Sequence, residues 1–279
     1  MLSRGIDMPR MIYGTAWKKD RTKDLVISAI KAGFRAIDTA GQPKHYNEKL
    51  AGEAVTELID QGFITREQVF IQTKFSPMSR SDATNHGCPY DYNAPIKEQV
   101  FQSFQASLSN FRTDYIDSYV LHGPYGSNEH NAEVWKAFEQ LVEEKKVKRI
   151  GLSNVYSFDE FKFFWSIAKI KPSVLQNRFY DEGAYDLQFR DVCKNHNVTF
   201  QSFWTLTGNP DLLKFISRHT LKPKDSTSEQ LLYKFVQQLG IVPLNGTTSA
   251  EHMKLDLEVE NLPELPTELF NELCAYLER

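Results

Sequence analysis

Ala36-Ile37-Asp38-Thr39-Ala40 is a short apolar run that ends on a carboxylate, and His45-Tyr46-Asn47-Glu48 follows it at the start of a helical pattern. Two later runs are built the same way. Val69-Phe70-Ile71-Gln72-Thr73-Lys74 ends on an ammonium, and Ile116-Asp117-Ser118-Tyr119-Val120-Leu121-His122 ends on an imidazole. Short β-rich runs, each closed by a polar residue and followed by an amphipathic stretch, are the pattern of strands joined by crossover helices.

Working outward from these three runs, the alternation continues along the chain. Strands are expected at Arg10–Tyr13, Ala36–Asp38, Val69–Thr73, Ile116–Leu121, Arg149–Ser153, Val174–Gln176, Thr199–Trp204 and Ile241–Pro243. Helices are expected at Asp24–Gly33, Asn47–Gln61, Ile96–Phe111, Ala132–Glu144, Phe158–Ala168, Leu187–His196 and Ser226–Gln238. Gly33, Gly62 and Gly240 stand at helix ends, and Ser226-Thr227-Ser228-Glu229 carries a capping signal. Eight strand–helix units predict a closed parallel (β/α)8 barrel, a TIM barrel with outer helices, as a single domain over residues 1–279. The competitor is an open doubly wound sheet, which the lack of Gly-x-Gly-x-x-Gly after the first strand weakens. Ser76–Pro95 reads as a long loop that either shapes a substrate site or is merely solvated.

Composition narrows the function classes. A net charge of -3 on 279 residues gives no reason to expect nucleic acid or a bilayer as partner. No apolar run approaches the roughly 20 residues of a membrane span. Met1–Asp7 lacks the apolar core of a signal peptide. Cys88, Cys193 and Cys274 form neither metal spacing nor a disulfide framework. The expectation is a soluble cytoplasmic protein without a metal, a monomer or weak oligomer.

In such a barrel the C-terminal strand ends share one rim. Asp38, Lys74 and His122 should meet there, with Tyr46 at the start of the following helix. Together they suit carbonyl chemistry: the phenol gives a proton to the oxygen, a lysine held by the aspartate lowers the phenol's pKa, and the imidazole orients the carbonyl. Each residue alone has an ordinary alternative. Asp38 is a cap or ion-pair partner, Tyr46 a half-buried aromatic, Lys74 a solvated cation and His122 a packing residue. The joint placement carries the argument.

Over nearly its full length the chain resembles the aldo-keto reductases. The resemblance rests on Ile37-Asp38-Thr39-Ala40, Tyr46-Asn47-Glu48 with Gly52-Glu53-Ala54, Thr73-Lys74, Leu121-His122-Gly123-Pro124 and Arg149-Ile150-Gly151-Leu152-Ser153-Asn154. It implies reduction of an aldehyde or ketone, a small-molecule carbonyl substrate, by hydride from NADPH, with NADH possible. It further implies that Ser153, Asn154 and Gln176 hold the nicotinamide carboxamide and that Trp204 stacks on its ring. A carboxamide offers one acceptor and two donors, which such side chains can match. Without a cofactor, Ser153-Asn154 is a helix-cap pair, Gln176 a hydrogen bonder inside the barrel and Trp204 a core aromatic.

Three departures from the family pattern matter. Thr39–His45 between Asp38 and Tyr46 is long. Gly123 stands where a bulky aromatic is common and widens the pocket, leaving Trp17 as an apolar wall or a packing residue at the mouth. The segment that grips the adenosine phosphate carries Gly246 and His252 at the positions of a lysine and an arginine. There the backbone of Gly246–Ser249, with the Thr247 and Thr248 hydroxyls, is expected to bind phosphate at a helix start. Asp256 stands near the place of a cofactor-contacting asparagine. The alternative to an enzyme is a cofactor-sensing regulatory subunit on the same barrel.

Overall fold

In the computed structural model, which describes residues 6–223 and 225–278, eight strands pair in parallel and in chain order. The reading at Met1–Asp7 lies largely outside the described residues. The strands are β1 (Ile12–Gly14), β2 (Ala36–Asp38), β3 (Phe70–Phe75), β4 (Ile116–Leu121), β5 (Val147–Ser153), β6 (Val174–Arg178), β7 (Thr199–Phe203) and β8 (Val242–Asn245). β8 pairs back onto β1, with Tyr13 opposite Asn245, so the sheet closes into a barrel as expected.

The helices are α1 (Thr22–Ala32), α2 (Glu48–Asp60), α3 (Arg80–His86), α4 (Ile96–Phe111), α5 (Asn128–Glu143), α6 (Phe158–Ile167), α7 (Leu187–Asn195), α8 (Pro210–Arg218), α9 (Ser228–Gln238), α10 (Ala250–Leu257) and α11 (Thr267–Leu277). α1 stops where Gly33 takes a φ of 130° and returns its N–H to Ala29 and Ile30. α9 starts two residues later than its sequence signal. Its capping box is Thr227 with Gln230, so Ser226 lies outside the helix. The Ser76–Pro95 stretch is not wholly irregular, because Ser79 accepts from Asp82 N and starts α3. α8 and α11 were not expected from sequence. α8 follows Gly208-Asn209-Pro210, where turn residues mask a helix that takes its proline in the first turn.

Packing explains the motif glycine of α2. A Cβ on Gly52 would lie 2.1 Å from the Asn110 carbonyl oxygen, so α2 and α4 touch backbone to backbone there. The main apolar core fills the space between sheet and helices. Inside the barrel, Ile12, Ala36 and Phe70 form a plug at one end with Met8, Val242 and Leu244. Beyond that plug the interior is polar: Asp38, Gln72, Lys74, Gln176 and Gln201 are all buried.

Candidate active site

The site begins at the end of β2. Asp38 is 1% exposed, and a buried carboxylate must be supplied with donors. Its Oδ2 accepts from Lys74 Nζ at 2.6 Å, and its Oδ1 accepts from the side-chain amides of Gln72 at 2.8 Å and Gln176 at 3.0 Å. Lys74, at the end of β3, also donates to Thr39 O at 2.9 Å. Burial pulls the Lys74 pKa down, and Asp38 opposes that pull.

The long connection after β2 folds as a turn, with His45 N and Tyr46 N both donating to Gln42 O. That turn brings Tyr46 back to the rim. Lys74 Nζ lies 5.1 Å from the centre of the Tyr46 ring, and the His122 ring meets it edge-on at 5.6 Å. Among the described residues the Tyr46 hydroxyl makes no hydrogen bond to the protein, while Asp38, Lys74 and His122 all do. Tyr46 departs from expectation in its pKa. Burial first, and then the Asp38 carboxylate, push the phenol upward. Asp38, bonded to Lys74, opposes the lowering that the lysine alone would bring.

His122 follows β4. Its N–H donates to Phe75 O at 2.8 Å and its carbonyl accepts from the Asn154 side chain at 2.7 Å. Burial and the Lys74 cation hold its pKa well below the usual histidine range, so the ring is neutral.

The structure brings Asp38, Tyr46, Lys74 and His122 together and adds three residues that sequence reasoning missed. Glu48, in the first turn of α2, is buried and accepts from Ser107 Oγ and Asn110 Nδ2, both at 2.9 Å, and from Thr73 Oγ1. It ties the helix behind Tyr46 to the strand of Lys74, and burial raises its pKa. Gln72 and Gln201 donate to each other's side-chain oxygens at 2.7 and 3.0 Å, and Gln201 Oε1 also accepts from Gln176 at 2.8 Å. The available signal was a glutamine within each of two apolar strands.

The residues assigned to the carboxamide lie at the ends of β5, β6 and β7. Asn154 is largely committed: its amide donates to His122 O and to Ser153 Oγ, and its oxygen accepts from Tyr156 OH at 3.1 Å. Gln176 spends its amide hydrogens on Asp38 and Gln201. Among the described residues, what remains unpaired is the Ser153 hydroxyl hydrogen and the Gln176 side-chain oxygen. One donor and one acceptor still fit a carboxamide. Ser153 and Asn154 do not cap α6, whose cap is Ser157. Trp204 is 50% exposed and so is not a core aromatic. The Arg178 guanidinium lies 3.9 Å from its ring centre, which leaves one face for a nicotinamide.

The phosphate segment is less well supplied with backbone donors than expected. Thr247 N donates to Asn245 Oδ1 and Ser249 N to Thr247 Oγ1, so both amides are turned inward. Thr248 stays in the loop, and His252 is exposed on α10. A cation from another element lies against this segment. Lys18, after β1, sets its ammonium on the Gly246 carbonyl. Burial and the nearby Arg21 lower the Lys18 pKa. Asp256 is buried with Asn245 Nδ2 at 2.6 Å, and burial raises its pKa.

At the substrate side, Trp17 is 63% exposed and its ring packs on His45 with centroids 4.0 Å apart. Trp17 is thus an exposed aromatic whose packing partner is His45. A Cβ on Gly123 would meet only Asn154 Cβ at 3.9 Å, so the space beside His122 is open.

A family model described as the aldo/keto reductase family matches residues 10–226. An uncharacterised oxidoreductase of Caenorhabditis elegans is 31% identical, over 99% of this chain and 80% of that protein. An NAD(P)H-dependent D-xylose reductase of Pachysolen tannophilus is 27% identical, over 98% of this chain and 91% of that protein. The crystal structure of an aldo-keto reductase enzyme from a Medee basin deep-sea metagenome library superposes with a TM-score of 0.79 at 26% identity, covering 98% of this chain and 93% of that one.

Proposed function

The chain belongs to the aldo/keto reductase family of oxidoreductases, and from that membership we propose that it reduces an aldehyde or ketone to the alcohol with a nicotinamide cofactor, NADPH in preference to NADH. The observation that carries this is the Tyr46 hydroxyl, free of hydrogen-bond partners among the described residues, beside a buried Asp38–Lys74 pair and a neutral His122.

When bound, the reduced nicotinamide supplies the hydride. Its carboxamide is held by Ser153 and Gln176, with Asn154 fixing the loop between them, and the open face of Trp204 supports the ring. Tyr46 donates its proton to the carbonyl oxygen. The tyrosinate left behind is met by Lys74, whose charge Asp38 maintains. His122 hydrogen-bonds the same oxygen and turns the carbonyl carbon toward the cofactor. Lys18, Thr248 and His252 take the phosphates, the weaker part of the site. The NAD(P)H-dependent relative is in keeping with a modest preference between the two cofactors. Open space at Gly123 favours a substrate wider than a simple straight-chain aldehyde.

The test is a panel of aldehydes and ketones assayed with NADPH and with NADH, alongside titration of each cofactor. Turnover that Tyr46→Phe abolishes without loss of cofactor binding is the expected result. Tight cofactor binding with no turnover across the panel would instead identify a cofactor-sensing regulatory subunit, and no binding of either cofactor would refute both.

A further inference from the structure

Ser76 is the first residue beyond β3, is 2% exposed, and has its Oγ 2.6 Å from His122 Nδ1. Nothing in the mechanism above uses it. Its main chain is pinned: Tyr90 OH donates to Ser76 O at 2.9 Å, and the same phenol oxygen accepts from Met78 N at 3.1 Å. The His122 main chain is pinned on both sides as well, by Phe75 O and by the Asn154 amide. Neither residue can move away from the other without breaking these bonds.

A neutral imidazole carries one proton, on Nδ1 or on Nε2, and the partner of one nitrogen decides which. The two arrangements differ in their hydrogen accounting. If Nδ1–H donated to Ser76 Oγ, the serine hydrogen would be left in a buried place with no acceptor among the described residues. An unpaired buried donor forfeits the hydrogen bond it made to water and is strongly disfavoured. If Ser76 donates to Nδ1, both hydrogens are accounted for and the imidazole proton stands on Nε2, the nitrogen without a hydrogen-bond partner among the described residues. We propose that Ser76 is a positioning residue that locks His122 in the Nε2–H tautomer, so that the ring presents a hydrogen-bond donor to the substrate carbonyl oxygen beside Tyr46. The lock extends into the Ser76–Pro95 segment, where the Tyr90 phenol holds the Ser76 main chain in place.

This proposal rests on the carbonyl-reductase reading, but its first test does not need turnover. In two-bond 15N–1H correlation spectra of histidine-labelled protein, assigned by loss of the signal in His122→Asn, the wild-type ring is expected to show a bare Nδ1 and a protonated Nε2. A wild-type ring protonated at Nδ1 overturns the proposal whether or not the protein is an enzyme. In Ser76→Ala the His122 signals should shift toward the other tautomer, and kcat/KM for reduction should fall about tenfold while the Kd for NADPH holds, a tenfold loss being the scale of one hydrogen bond. Ser76→Thr restores the hydroxyl and should restore both readouts. An unchanged His122 spectrum in a folded Ser76→Ala also overturns the proposal. A wild-type spectrum as expected, with no turnover of any carbonyl, would uphold the tautomer lock and overturn only its use on a substrate.

Discussion

The two ends of the rim are built to different standards. At the chemical end, the charged groups have direct partners. Asp38 has three donors, Lys74 has two acceptors, and Glu48 stitches α2, β3 and α4 together. At the end proposed to take the phosphates, the Asp256 carboxylate accepts from Asn245 Nδ2, Lys18 rests on a main-chain carbonyl, and His252 is exposed. Proton transfer is sensitive to fractions of an ångström and needs a rigid frame. Holding a phosphate needs positive charge nearby, which a mobile side chain can supply. The contrast predicts that substitutions at the chemical end act on kcat, and that those at the phosphate end act on cofactor affinity.

The largest expected effect is that of Tyr46→Phe. Removing a general acid costs about 10²–10⁴-fold in rate, and steady-state assays should show this with the Kd for NADPH unchanged. Near-normal turnover would break the assignment of the chemical end. Next comes the double change Gln72→Val with Gln201→Val. It removes one donor from Asp38 and the partner that orients another, and a hydrogen bond to a charged group is worth about 1.5–3 kcal/mol. A loss of roughly tenfold or more in kcat at constant cofactor Kd is expected. A change in cofactor Kd alone would erase the distinction between the two ends.

At the phosphate end, Lys18→Met should weaken NADPH about tenfold, NADH less, and leave kcat near its wild-type value; fluorescence titration at two salt concentrations checks this, since the effect should shrink with added salt. His252→Ala should follow in the same sense with a smaller loss. The smallest effect concerns Asp256. Its folded-state pKa lies above the unfolded value, so the folded chain binds the extra proton as pH falls. The stability that comes with that proton is present at low pH and lost as pH rises through the raised pKa. Asp256→Asn should therefore stabilise the protein at neutral pH and not below the carboxylate's ordinary range, with Tm recorded across pH as the readout. A slight gain in NADPH affinity should accompany it.

These contrasts also sort what could be read from the chain alone. β2 and β4 match their expected bounds, because each is a short β-rich run closed by a polar residue, Asp38 at the end of β2 and His122 just after β4. α3 and α8 escaped because short helices flanked by Gly, Pro and Ser resemble turns, and α11 because Pro263-Glu264-Leu265-Pro266 ahead of it reads as a loop. That Asp38, Tyr46, Lys74 and His122 would meet at one rim was legible from order and strand ends. Gln72 and Gln201 were not, since whether a glutamine in a strand faces the barrel interior depends on register. Lys18 was invisible because its partner, Gly246, is brought beside it only when β8 closes onto β1. The downward pKa shift expected for Tyr46 does not hold, because burial, which only the fold reveals, acts first to raise the phenol and the Asp38 carboxylate adds to it.

The seam at Gly52 has a consequence beyond packing. With the two helix backbones in contact there and Glu48 bonded across to Ser107 and Asn110, α2 cannot peel away unless α4 yields its side of the joint. The two helices are then one opening unit, whose amide protons should exchange with solvent at a common free energy rather than helix by helix. Tyr46 stands just ahead of that unit, so the fraction of time the phenol is in place is set by how often a whole pair of helices breathes.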